Sequence, residues 1–141
     1  MNDISNSITV EIKIDKPVEY VWQLWTTPAH IAQWNIPFDD WHCPNVESEL
    51  KAGGKFFYRM EARDGDEGFD HYGCYDKIIK HELIEYMVSD GRKSVIGFIS
   101  DGDTTQVVET FEPEKETPVD LQRNFCSSVL KRFKKYAETK K

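Results

Sequence analysis

From Thr117 onward the chain carries an apolar stripe too wide for an ordinary surface helix. Thr117, Pro118 and Asp120 make a helix start signal: a cap, a first-turn proline and an acid near the positive end of the helix dipole. At about 100° per residue, Leu121, Phe125, Cys126, Val129, Leu130, Phe133, Tyr136 and Ala137 fill one half of the wheel. Arg123, Ser127, Ser128, Lys131, Lys134, Lys135 and Glu138 fill the other half, with Gln122 and Arg132 as misfits. A helix with half its circumference apolar suits a cradle of curved sheet.

The preceding residues supply such a surface. ITVEIKI (8–14) alternates apolar and polar residues, the period of a half-buried strand. Pro17 opens a helix with Asp15 as its cap, and Val18, Val21, Trp22 and Trp25 form its apolar stripe. Pro28, capped by Thr27, opens a second short helix, PAHIAQW. WNIPFDDWHCP has two prolines and no period, and is read as a loop. Six strands follow: VESEL, KFFYRMEAR, FDHYGCYDKII, ELIEYMV, SVIGFIS and TTQVVETFE, with KAGG, DGDEG, SDGRK and DGD among the turns. Strands spaced by about 8–12 residues with glycine turns between them predict an antiparallel meander. The expected fold class is α+β: a seven-stranded curved antiparallel sheet wrapped around a long C-terminal helix, with two short helices after the first strand. It is expected to be a single domain over residues 1–141 with an ordered core of about 7–137. A sheet curled around a helix generally leaves a cavity between them.

PVEYVWQLWTTPAHIAQWN, LKAGGKFFYRMEARDG, GCYDKI, TTQVVETFEPE, DDWHCP and the closing VLKRFKKYAE give the chain a recognisable pattern. It resembles a bacterial branch of the activator-of-heat-shock-protein-90-ATPase-homologue family, within the START-related (SRPBCC) superfamily. The resemblance runs from Ile8 to about Tyr136. It implies the helix-grip fold, also called START/Bet v-like, and a small to medium apolar cavity, but no single activity. Relatives include chaperone co-factors, lipid and hormone carriers and polyketide cyclases. Family members often carry Gly-Trp in the last helix, where this chain has Asn124-Phe125, which implies a different pocket shape.

Composition narrows the partners. A net charge of −7 over 141 residues argues against nucleic acid, which wants a basic face. The basic C-terminal run reads as a solvated helix end. No stretch approaches the ~20 apolar residues that span a bilayer, and MNDISNSITV lacks the basic and apolar regions of a signal peptide. Cys43, Cys74 and Cys126 have no metal-ligand spacing and make a poor disulfide framework. The expectation is a cytoplasmic protein, monomeric or weakly dimeric, with no cofactor.

Three readings are open for DDWHCP. As a metal site, Asp39, Asp40, His42 and Cys43 would have to converge in a contorted loop, whereas such sites want three or four converging ligands. As plain structure, Asp39 or Asp40 caps a turn, Trp41 packs on a rim and Cys43 fills a buried space. As a cavity mouth, Trp41 and His42 touch what enters. Cys43 as a nucleophile needs a base and a lowered pKa, and His42 is its immediate neighbour, whose side chain points apart in an extended chain.

Glu109 lies between Val107 and Phe111 at period two and shares their apolar face. A carboxylate there is costly unless it is hydrogen-bonded or protonated, and Tyr58, Tyr75 or a backbone amide would be its structural partner. For Glu85 the same question is answered by Ile84, Tyr86 and Val88, the better inward set. The expected ligand contacts are Trp25, Trp41, His42, Phe56, Tyr58 and Met60, with Tyr75, Tyr86, Phe98, Glu109, Phe125 and Val129. The leading reading is non-enzymatic binding of a hydrophobic or aromatic small molecule between sheet and last helix. The alternatives are a co-chaperone-like module for a protein partner, and a cyclase-, dehydratase- or hydrolase-type enzyme using Glu109 and His42.

Overall fold

Alternating patterns become strands wherever one face can be covered. The computed structural model describes residues 7–36, 38–65 and 67–139. Residues 1–6, 37, 66, 140 and 141 lie outside that description. With them go the opening of the amino-terminal stretch, one residue of the DGDEG turn and the end of the basic run. The elements run β1 (Ile8–Ile14), α1 (Val18–Thr26), α2 (Pro28–Trp34), β2 (Trp41–Ser48), β3 (Lys55–Ala62), β4 (Gly68–Ile79), β5 (Leu83–Val88), β6 (Lys93–Asp101), β7 (Thr104–Phe111) and α3 (Val119–Thr139). All strand pairs are antiparallel, in the order β1-β7-β6-β5-β4-β3-β2. This is the curled sheet around a terminal helix that the chain's pattern predicts.

The first strand pairs with the last, from Ile8 opposite Phe111 to Ile14 opposite Thr105. The two edges of the sheet are therefore β1 and β2, and α1 with α2 carries the chain from one edge to the other. Trp34 can be buried there because its indole N–H donates to the Leu24 carbonyl at 3.0 Å.

The helix α3 is gripped unequally. Its fully buried residues, Leu130, Phe133 and Ala137, all lie in the C-terminal half. There Phe133 meets Trp25 and Trp34 edge-on, at ring-centre distances of 4.9 and 4.8 Å. Toward the N-terminal end the same stripe faces open space, and Leu121 is 58% exposed. The two misfits of the wheel have structural work. Gln122 donates to the carbonyls of Glu114 and Thr117 and accepts from the Glu114 N–H, tying down the helix start. Arg132 reaches Asp39 at 2.7 Å, joining α3 to the loop before β2.

Three local expectations are corrected. The strand β2 begins at Trp41, inside the expected loop. Pro44 is tolerated because β2 is an edge strand whose register slips between His42 and Asn45, so no ladder N–H is demanded of it. Asp15 does not cap α1: Pro17 holds the cap position, and the Asp15 N–H donates to Glu138 at 2.8 Å. Thr27 does not cap through its side chain either. Thr27 holds the cap position of α2 with no side-chain bond. The helix α3 begins at Val119, and the Leu121 and Gln122 N–H groups of its first turn donate to the Pro118 carbonyl.

Candidate functional site

Side chains two apart on a strand share a face, and the concave face collects one such set from each of five strands. Phe56, Tyr58 and Met60 come from β3, Phe69, His71 and Tyr75 from β4, Ile84, Tyr86 and Val88 from β5, Ser94 and Ile96 from β6, and Glu109 and Phe111 from β7. Over them lies the loosely gripped half of α3, which contributes Leu121, Gln122, Phe125, Cys126 and Val129. Trp25, Ile31 and Trp34 close the end formed by the short helices. Between sheet and helix remains a cavity of about 880 Å³. It exists because α3 packs into the core only through its C-terminal half.

The wall is aromatic with a few polar points. Phe56 is ringed by Tyr58, His71, Tyr75 and Tyr86, with centroid distances of 5.0–5.5 Å. The Tyr75 hydroxyl is 2.7 Å from Ser48 Oγ, which satisfies one buried phenol. Burial pushes the Tyr58 phenol well up, helped by the neighbouring Tyr75, and burial also raises Tyr86. Desolvation in the wall pushes the half-buried His71 imidazole down to about 4, so it is neutral at ordinary pH. Burial lifts the Cys126 thiol, so it too stays protonated.

Glu109 stands apart. Burial alone pushes its carboxyl up to about 7. Among the described residues its side chain makes no hydrogen bond or ion pair, and neither Tyr58 nor Tyr75 satisfies it. Its ladder neighbours are Val10 on β1 and Ile96 on β6. The remaining charged groups of the wall lie toward its edge. Arg92 is held by Asp90 at 2.8 Å, Glu112 accepts the Lys93 N–H, and Glu114 accepts the Thr117 N–H. Among the described residues no group of three or more His, Cys, Asp or Glu side chains is placed to hold a metal ion.

The family model described as "Activator of Hsp90 ATPase homolog 1-like protein" matches residues 15–138. The chain belongs to this family. No curated protein sequence matches it significantly. Among solved structures, Chr148 from Cytophaga hutchinsonii is 44% identical, with 94% of this chain and 92% of that one covered and a TM-score of 0.82. The AHSA1-like protein from Aeromonas hydrophila is 32% identical over 93% and 92% of the two chains, with a TM-score of 0.85. The structure described as the Aha1 dimer from Colwellia psychrerythraea shares 15% identity over 96% and 98%, with a TM-score of 0.77, and so shares the fold. Among the described residues no helix is long and apolar enough to cross a membrane.

Within this AHSA1-like fold, nine of the twelve residues expected to contact a ligand line the cavity: Trp25, Phe56, Tyr58, Met60, Tyr75, Tyr86, Glu109, Phe125 and Val129. Three do not. Phe98 is buried against Trp22 and Trp25, at 5.1 and 5.8 Å, between the first helix and the sheet. His42 sits opposite Glu61 on the outer face of the sheet, 3.2 Å from its carboxylate, which also holds Arg59 at 2.9 Å. Trp41 packs against Phe38 and Phe69, at 6.1 and 5.9 Å, behind two rings that do line the mouth. Glu85 pairs across the ladder with Lys77, away from the inward set.

The DDWHCP cluster therefore disperses: Asp39 goes to α3, Trp41 to the rim, His42 outward and Cys43 into the core. Burial pushes the Cys43 thiol up to about 11, the opposite of what a nucleophile needs. Sequence reasoning missed Phe69, His71, Ser94, Arg92, Trp34 and Phe38. Phe69 and His71 were within reach, since they share parity with Tyr75 and stand opposite Met60 and Tyr58. Arg92 and Phe38 lie outside regular strands and helices, where period carries no signal.

Proposed function

We propose that the chain binds an apolar, aromatic small molecule in this cavity without transforming it. The observation that carries the reading is the space of about 880 Å³ left beneath the loosely held half of α3. Sites for small ligands occupy about 300–1,000 Å³ and are mostly apolar with a few placed polar groups, which describes this wall. Covering about 300 Å² of apolar ligand surface contributes roughly 7 kcal/mol before the cost of association. An enzyme built on Glu109 and His42 loses its pair, because the imidazole stands on the opposite face of the sheet from the cavity. General acid–base work requires both groups to reach one substrate.

Trp25 and Trp34 line the cavity, so their fluorescence reports occupancy. A panel of aromatic and lipid-like compounds should include at least one that quenches the tryptophans and raises the melting temperature. If no compound does either, the carrier reading fails. The family's description supports a second reading, a protein-binding module, for which the net charge of −7 suits a basic partner. Recovery of a stoichiometric chaperone in a pull-down from the source cell would favour it.

A further inference from the structure

The cavity wall carries charge of one predominant sign. Glu109, Glu112 and Glu114 line it, against Arg92 alone, and the Arg92 guanidinium is already neutralised by Asp90 at 2.8 Å. His71, the imidazole in the wall, is uncharged at ordinary pH. Of the carboxylates, Glu112 and Glu114 are engaged with backbone amides. Glu109 faces the cavity with no partner among the described residues. A buried ionised carboxylate without a partner is expensive, and a cation placed beside it in good geometry offsets part of that cost. The surrounding rings add to this, since aromatic faces attract organic cations.

Resting on the carrier reading above, we propose that the ligand is an aromatic organic cation whose ammonium group pairs with Glu109 while its ring system lies among Phe56, Tyr58 and Tyr86. Fatty-acid anions are disfavoured at the same site, because their carboxylate would enter a wall that is already negative. The charge sign, more than the volume, then sets specificity.

The groups packed around Glu109 make the reaction to pH readable. The β1 and β6 neighbours, Val10 and Ile96, do not titrate. Tyr86 from β5 and Cys126 from α3 feel the Glu109 charge, and both stay protonated through the neutral range. Arg92, paired with Asp90, also acts on Cys126. Between about pH 5.5 and pH 8 the cavity therefore changes charge at Glu109, and an alkyl ammonium of pKa ~10 stays charged throughout. With the carboxyl at about 7, its ionised fraction rises about 30-fold across that range.

The test uses three probes of one shape, naphthylethylamine, naphthylethanol and naphthylacetate, titrated calorimetrically into the full chain. At about pH 8 the amine should bind at least ~10-fold tighter than the alcohol, and the acetate weakest. Amine affinity should fall roughly 30-fold on going to about pH 5.5 while the alcohol changes less than ~2-fold. Glu109→Gln should abolish both the amine preference and the pH dependence of amine binding. An amine that binds no tighter than the alcohol in the unaltered protein overturns the proposal, as does a pH dependence that survives in the variant. Binding of the alcohol without amine preference refutes only the cation assignment. Failure of all three probes also overturns it, and the wider panel then judges the carrier reading separately.

Discussion

Glu109→Gln also makes a prediction about the empty protein. The Glu109 carboxyl titrates near its ordinary 4.5 in the unfolded chain and at about 7 in the fold, because burial penalises the charged form. Between those values the folded protein holds the extra proton, so its stability falls as pH rises through that window. Below about 4.5 both states are protonated and nothing is lost; above about 7 the full penalty is present. At about 1.4 kcal/mol for each pH unit, the penalty is about 3 kcal/mol. The glutamine cannot ionise and escapes it. Whatever a neutral amide costs in this wall is constant with pH, and His71 titrates in both proteins, so both effects cancel in the difference between variant and parent. At roughly 3–4 °C per kcal/mol for a chain of this size, the variant's melting temperature relative to the parent should rise by about 10 °C between pH 4 and pH 8. Differential scanning calorimetry across that range measures it. A difference that stays flat with pH would mean that the carboxylate is solvated or paired in the native state, and the argument from desolvation would fall.

Other perturbations separate core from cavity. Phe133→Ala removes a fully buried ring held between Trp25 and Trp34 and should cost about 3–5 kcal/mol in denaturant unfolding. Gly73→Ala would drive a methyl group into the Met87 carbonyl and the Val88 backbone; these atoms cannot swing away, so a loss of ~2 kcal/mol or more is expected by thermal melting. Val129→Trp projects bulk into the cavity from α3. It should leave the melting temperature within a few degrees of the parent and weaken any cavity ligand at least ~10-fold by calorimetry.

How much of this was written in the sequence depends on what set each residue's position. Ile8–Ile14 and the Phe56, Tyr58, Met60 set were legible because burial on one face imposes a period that survives without any knowledge of neighbours. Glu109 was legible for the same reason: parity alone put a carboxylate on an apolar face. Caps were not, because the cap residue is set by where the helix begins in the folded chain: Pro17, not Asp15, holds the cap position of α1. Trp41 and His42 were misplaced because a register slip at Pro44 hides the strand they belong to. The amphipathic wheel of α3 announced a cradled helix, but it could not tell the half that is packed from the half that spans a void. That difference lies in how far the curled sheet reaches toward it.

Pairing β1 with β7 has a consequence for the order of assembly. Ile8 finds Phe111 only after about a hundred intervening residues have been made, so β1, made before every other strand of this sheet, is among the last to be locked. Until then its apolar residues have no ladder to join, whereas the hairpins from β2 to β7 can zip up one after another from local turns. Closure of so distant a pair is entropically slow. A nascent chain of this fold therefore spends its growth as an open meander with β1 unpaired, and becomes a closed cup only once β7 has been made.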